Sequence, residues 1–256
     1  FTALTNLGTS FGMGFIVSAF MVAQGGLLKE NLFKAVLIGN LGAIIGSIVS
    51  VNLMIHYSKK YFKELGELEE ETKVEKFVFD TREIRSGSVF GRFLEAMLEG
   101  GKIGVDMGIA IIPGVIIICT TVLILTNGMP EGGYTGAAYE GIGVLPIIGA
   151  KLNFILKPLF GFSSPEAIAF PITALGAVGA AIGLVPQFIK EGVIGAREIA
   201  VFTSMGMCWS GYLSTHVAMM DSLNYRELTG KAIFSHTIGG LIAGMSANFL
   251  FSLFLG

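Results

Sequence analysis

Apolar residues fall along this chain in long blocks separated by short polar joints. A helix rises about 1.5 Å per residue, so roughly 20 apolar residues cross the ~30 Å hydrocarbon layer of a bilayer. Six blocks reach that length: residues 1–23, 32–56, 103–126, 165–185, 198–220 and 232–255. A seventh, Val144–Phe160, is shorter and carries Lys151, Asn153 and Lys157. Backbone amides inside lipid need internal partners, and no alternating strand pattern of about ten residues is present, so the blocks are expected to be helices. The pattern predicts an all-α, polytopic membrane bundle with broken or re-entrant helices and an internal repeat.

Residues 57–87 form the main polar stretch, with seven Lys/Arg and eight Asp/Glu, including Glu69-Glu70-Glu71. It reads as a solvated helical loop, or as an arm that binds a partner. The positive-inside rule counts Lys and Arg, and so places it in the cytoplasm, with residues 129–143, free of both, outside. Residues 89–98 have amphipathic helical spacing and are expected along the inner surface ahead of the 103–126 span. Beyond residue 143 the rule ties: Lys190 and Arg197 in one loop balance Arg226 and Lys231 in the next.

Composition agrees with a membrane chain. Of 256 residues 52% are hydrophobic and 14% charged, against about 25% charged in soluble domains. The net charge of −2 argues against a nucleic-acid polymer as partner. Both cysteines, Cys119 and Cys208, lie in apolar runs, so no disulfide framework is expected. Phe1 stands inside an apolar run with no initiator Met or signal-peptide start before it, which suggests a fragment.

The chain's opening resembles its own later sequence. Phe1-Thr2-Ala3-Leu4 meets Ile172-Thr173-Ala174-Leu175 at an offset of 171, and Gly8 and Gly12 meet Gly179 and Gly183. With small slips, Gly25 and Gly39 then meet Gly192 and Gly206, and Ser50-Val51 meets His216-Val217. A repeat would put the counterpart of residues 88–171 upstream of Phe1, and repeats flanking a central site are a common transporter plan. Five Gly-xxx-Gly pairs (Gly8/Gly12, Gly42/Gly46, Gly104/Gly108, Gly179/Gly183, Gly240/Gly244) are expected to serve close helix packing.

The most informative local stretch is Phe160 to Pro171. Ser164 suits an N-cap, Pro165 the first turn and Glu166 the positive end of the helix dipole. Pro171 removes a backbone donor, so a half-helix ending near Phe170 is expected, with a second helix from Ile172 to Val185. Such a break at membrane depth points to a solute site, although a simple proline kink gives the same pattern. Intramembrane polar residues accompany it: Asn40, Ser47, Ser50 and Asn52 in one span, and Ser204, Ser210, Ser214, Thr215 and His216 in another. His216 either reaches toward water or couples to a proton, and His236 is expected at the interface. Lys102 and Asp106, one turn apart, read as a surface ion pair or as an Asp106 ion site.

Soluble-enzyme motifs are absent, and neither catalysis nor a cofactor is expected. The lead 92–101 into the Pro113-containing span resembles the nucleoside-recognition, or Gate-domain, family of membrane proteins. So does the block Phe162-Ser163-Ser164-Pro165-Glu166-Ala167 followed by Thr173-Ala174-Leu175-Gly176-Ala177-Val178-Gly179 and the 192–197 turn. The resemblance implies residues 1–56 as the closing part of a first Gate-like unit, 57–87 as a cytoplasmic loop and 88–256 as a second unit. It also implies solute held between broken helices. The chain departs from the family in lacking a GTPase segment, ferrous-iron ligand motifs and the Glu-containing motifs of sodium-coupled nucleoside carriers.

The expected function is therefore a permease for a small polar solute, nucleoside-like as the resemblance implies, working by alternating access. The alternative is a non-transporting scaffold or sensor using the 57–87 arm. The expected solute-binding residues are Asn6, Asn40, Ser163, Glu166, Thr173, Ser210 and His216, gathered between the 166–173 break and its counterpart near residues 2–6. The expected partners are the bilayer of the cell membrane, the solute, a coupling ion (sodium or proton) and further copies of the chain.

Overall fold

A computed structural model describes residues 2–29, 31–72, 85–137, 140–176 and 178–256. Phe1 and residues 73–84 of the charged stretch lie outside the described residues. The described residues form helices and no strands.

The first apolar block is broken into α1 (Leu4–Phe11), α2 (Gly14–Ala23) and α3 (Gly25–Leu28). The second becomes one helix, α4 (Phe33–Thr72), of 40 residues. At about 1.5 Å per residue it is roughly 60 Å long, twice the hydrocarbon thickness, so part of it stands clear of lipid. The expected loop is thus helical up to Thr72. Lys, Glu and Leu dominate that stretch, all good helix formers, and Lys60 and Glu64 pair one turn apart at 3.8 Å.

The expected surface helix and the third span likewise merge into α5 (Val89–Thr126), which begins where Ser88 Oγ accepts the Gly91 N–H at 3.0 Å. Helical geometry passes through Gly100-Gly101 and Pro113 without interruption. Lys102 and Asp106 are exposed on it and make no ion pair among the described residues. α6 (Val144–Phe160) keeps the bounds read from sequence, because Gly143 and Gly161 at its ends have positive φ (61° and 71°) that stop the helix.

A 3₁₀ turn (Pro165–Ile168) leads to α7 (Ala169–Gly176) and α8 (Val178–Lys190). α9 (Ala196–Cys208) and α10 (Tyr212–Ser222) replace the expected single span 198–220. A second 3₁₀ turn (Arg226–Leu228) precedes α11 (Thr229–Phe254).

α4, α9 and α11 form the central three-helix stack. A Cβ on Gly42 would stand 2.7 Å from Ala243 O, and one on Gly239 would stand 2.6 Å from Ser50 Cβ. Backbones this close need glycine, which is how helices associate where no hydrophobic force drives them together. Gly179 and Gly183, by contrast, meet nothing, so the glycine pairs do not all serve contact.

Among the described residues three helical runs are long and apolar enough to cross a membrane: Leu4–Leu28, Phe33–Gly66 and Arg226–Phe254. Leu37, Leu41, Ile44 and Ile48 on α4, and Phe249 and Leu253 on α11, face outward as an apolar surface no soluble protein would expose. The chain is a membrane protein. The helix boundaries do not follow the repeat register, since the α1–α2 break at Gly12 aligns with Gly183 inside α8.

Candidate functional site

The expected break at Phe170 is not there. The 3₁₀ turn ends at Ile168 and the α-helix starts at Ala169, so Pro171 falls in the first turn of α7. First-turn amides have no intrahelical acceptor, and a proline there costs the helix nothing. Phe170 is fully buried and stacked on Phe202, ring centroids 4.1 Å apart and planes within 3°. Thr173, also buried, returns its hydroxyl to Ala169 O at 2.7 Å. Neither residue lines the cavity beside Glu166 or the groove beside Asn40.

Ser163 serves a different structure. Its N–H and Oγ donate to Glu198 Oε1 at 2.8 and 2.6 Å, while Glu198 Oε2 accepts the Gly195 N–H at 2.9 Å. Glu198 is 3% exposed and sits in the first turn of α9, where the helix dipole favours a carboxylate. This buried acid went unread in the sequence; the Gly195-xx-Glu198 spacing of a helix start was its signal. Ser164 Oγ bonds the Glu166 carboxylate rather than capping a helix. Glu166 borders a 490 Å³ cavity with Asn127, Gln187, Lys190 and Glu191.

The interrupted helices lie elsewhere, and two of them meet at their breaks. Between α1 and α2 the ladder bond from Met13 N–H to Thr9 O is missing. Ser210 Oγ fills the gap, accepting from Met13 N at 3.4 Å and donating to Thr9 O at 2.6 Å. A side-chain hydroxyl inserted into the i→i−4 ladder is a recognised cause of a helix break. Ser210 belongs to the second break, between α9 and α10, where Gly211 has φ 85°. There the Tyr212 N–H turns to Trp209 O at 3.1 Å, and the freed Cys208 carbonyl is taken by His236 Nε2 of α11. Each break is therefore closed by a side chain from another segment, so its freed backbone groups keep partners.

A buried polar chain extends from this junction. His216 Nδ1 faces Tyr212 O at 2.7 Å, and its Nε2 faces Asn6 Oδ1 at 3.0 Å. Asn6 Nδ2 donates to Ser50 Oγ at 2.9 Å and to Ala232 O at 3.3 Å. Ser50 Oγ lies 3.0 Å from His236 Nδ1, and the two imidazole rings are 4.7 Å apart. Asn6, Ser50, His216 and His236 are all completely buried. His216 therefore does not reach water and His236 is not interfacial. Both are held inside by hydrogen bonds that a single-helix reading could not include.

The residues expected to form one site thus divide into three groups. Asn6, Ser210 and His216 come together at the junction. Asn40 lies nearby, donating to Ser18 Oγ at 3.1 Å, in a 780 Å³ groove lined also by Phe11, Gly14 and Met207. Ser163, Glu166 and Thr173 belong to the region around α7. Among the described residues no cluster of three His, Cys, Asp or Glu is placed to hold a metal ion. The chain matches no protein-family model, no curated protein and no solved structure, so its function has to be argued from this geometry.

Proposed function

We propose that this protein is a polytopic carrier for a small polar solute, moved by alternating access around the crossed breaks α1–α2 and α9–α10. The observation that carries this reading is the meeting of the two breaks at Ser210, with His236 of α11 closing the second. Helix breaks at membrane depth are otherwise costly, and in carriers they surround the solute. The groove beside the junction joins aromatic and thioether surface (Phe11, Met207) to two polar groups, Ser18 and Asn40. That pairing suits a flat solute with hydrogen-bonding edges, and a nucleoside is the class implied by the Gate-domain resemblance.

In this reading the chain crosses the cell membrane more than three times, α5 adding a further crossing through its exposed apolar residues Ile109, Ile112, Ile116 and Ile117. The likeness between residues 1–54 and 172–220 is taken as shared ancestry whose helix boundaries have since diverged. Copies of the chain pack together through the remaining apolar surface. Purified protein in proteoliposomes should take up labelled uridine, or another member of a broad panel of small polar solutes, saturably. A folded protein with no saturable uptake across that panel overturns the reading. A scaffold role has one observation behind it, the helical extension of α4 to Thr72 as an arm. If that is the arm's function, deleting residues 67–84 abolishes partner capture and leaves uptake intact.

A further inference from the structure

We infer that His216 is a proton-binding site and that its proton latches the α1 half-helix onto α10. The inference follows from counting donors in the buried chain. Tyr212 O and Ala232 O only accept hydrogen bonds. His216 Nδ1 faces Tyr212 O, so it carries a hydrogen. The Asn6 amide is oriented by its neighbours: its Nδ2 must be the group beside Ala232 O, which leaves Oδ1 beside His216 Nε2. Turning the amide over would set two acceptors together at Ala232 and leave Ser50 Oγ bonding Asn6 in place of His236.

The remaining protons then have fixed places. Asn6 Nδ2 donates to Ser50 Oγ, whose own hydrogen goes to His236 Nδ1, while His236 Nε2 donates to Cys208 O. His236 is satisfied as a neutral ring. His216 is not, because both of its nitrogens face acceptors, at 2.7 and 3.0 Å. Only the doubly protonated imidazolium satisfies both contacts. Removing the proton from Nε2 turns a hydrogen bond between α10 and α1 into a repulsion between lone pairs.

The surroundings leave His216 as the group that titrates. The ionisable side chains against it are Tyr212 on α10 and His236 on α11, while the Cys208 thiol of α9 lies beside Ser10 Oγ. α1 and α4 present Asn6 and Ser50, neither ionisable, and α7 has no ionisable residue. On α5, Glu95, Glu99, Lys102 and Asp106 are exposed, and Arg92 bonds Gly87 O at 2.6 Å. Asp221, near the end of α10, pairs with Arg226.

The moving part is α1, joined to α2 only through Gly12 and Met13, outside both helices. With α1 away, the ring meets water and takes a proton from it at Nε2. α1 then docks, Asn6 Oδ1 accepts the new N–H, and release reverses the order. Only N–H bonds form and break, and bulk water supplies and receives the proton. The inference names the coupling ion of the proposed carrier as a proton, so its purpose rests on that reading. Its chemistry does not.

The test uses the full chain labelled with ¹⁵N-histidine in lipid nanodiscs. There are three histidines, His56, His216 and His236, and His56 is exposed, so the signals are assignable by single substitution. The expected result is His216 doubly protonated at low pH and losing its Nε2 proton as pH rises, with His236 neutral throughout as the Nε2–H form. N6D, which places a carboxylate beside the ring, should move this titration to higher pH, and N6L should move it to lower pH. Spin labels at Leu7 and Val217, with Cys119 and Cys208 replaced by Ala, should show one narrow distance at low pH and a broadened one once His216 is neutral. A ring that stays neutral at every pH where the protein is folded overturns the inference, as does titration of His236 instead, or a distance unaffected by pH. Failure of uptake with this titration intact would instead overturn the carrier reading alone.

Discussion

The α7 region and the α1–α10 junction make opposite uses of polar residues inside an apolar protein. Around α7 the polar groups are closed on their own helix or on the start of α9, where no interrupted helix is bridged. Thr173 bonds its own helix, Ser163 and Gly195 share Glu198, and Phe170 is sealed by Phe202. At the junction each group is closed by a distant segment: Ser210 by Thr9, His216 by Asn6, and Ser50 by His236. Closure that bridges no interrupted helix stabilises a fold and has no reason to open. Closure between segments holds only while the helices stay docked, and this is what a moving part needs. A proline shortly after a serine that suits an N-cap looks like a break in sequence but lies inside the continuous start of α7, while the actual breaks carry no proline.

Substitutions separate the two regions, and the central stack is the control. Gly42→Leu drives a side chain into Ala243 and Ser204 and should prevent folding, a loss above about 3 kcal/mol, seen as failure to recover monodisperse protein from detergent. Glu198→Leu leaves the Ser163 and Gly195 donors unpaired and should cost about 2–3 kcal/mol in thermal unfolding, with uptake per folded molecule unchanged. Asn6→Leu should do the reverse, lowering uptake at least about tenfold (about 1.4 kcal/mol) while the melting temperature falls less than for Glu198→Leu. Thr173→Val removes only an intrahelical bond and should change both readouts by less than about 0.5 kcal/mol.

The smallest expected effect lies in the 127–143 loop. The Thr135 hydroxyl, then the backbone N–H groups of Thr135 and Gly136, hold the Glu140 carboxyl below the usual carboxylate range. A group whose value is depressed in the folded state stabilises it above its unfolded value. That contribution is lost as pH falls through the depressed value. Protection from amide exchange at Thr135 and Gly136, taken relative to the unstructured rate at each pH, should therefore persist at neutral pH and be lost only under acid conditions.

Length and hydropathy made the helical class legible and placed α6, whose ends prove to lie at the left-handed glycines Gly143 and Gly161. The breaks at Gly12–Met13 and Trp209–Gly211 were not legible. Glycine in a membrane helix is as often a contact point as a stop, and what decides here is a hydroxyl on another segment, Ser210. Asn6, Ser210 and His216 stood out as polar residues in apolar runs. Their partners Ser50 and His236 were read only as an intramembrane serine and an interfacial histidine, because one helix does not record which face meets another. Pro171 misled because its effect depends on a helix start two residues earlier, and a one-residue change of start moves a proline from harmful to harmless.

The central claim is that the two crossed breaks must part for solute to pass. A Cβ on Gly12 would stand 3.7 Å from Ser210 Oγ, within reach of a disulfide. The most direct measurement is uptake by a protein carrying Gly12→Cys and Ser210→Cys, with Cys119 and Cys208 replaced by Ala, before and after oxidation. The account predicts that the cross-link forms, that uptake falls at least tenfold, and that a reductant restores it. A complete cross-link with uptake running at its reduced-state rate would contradict it.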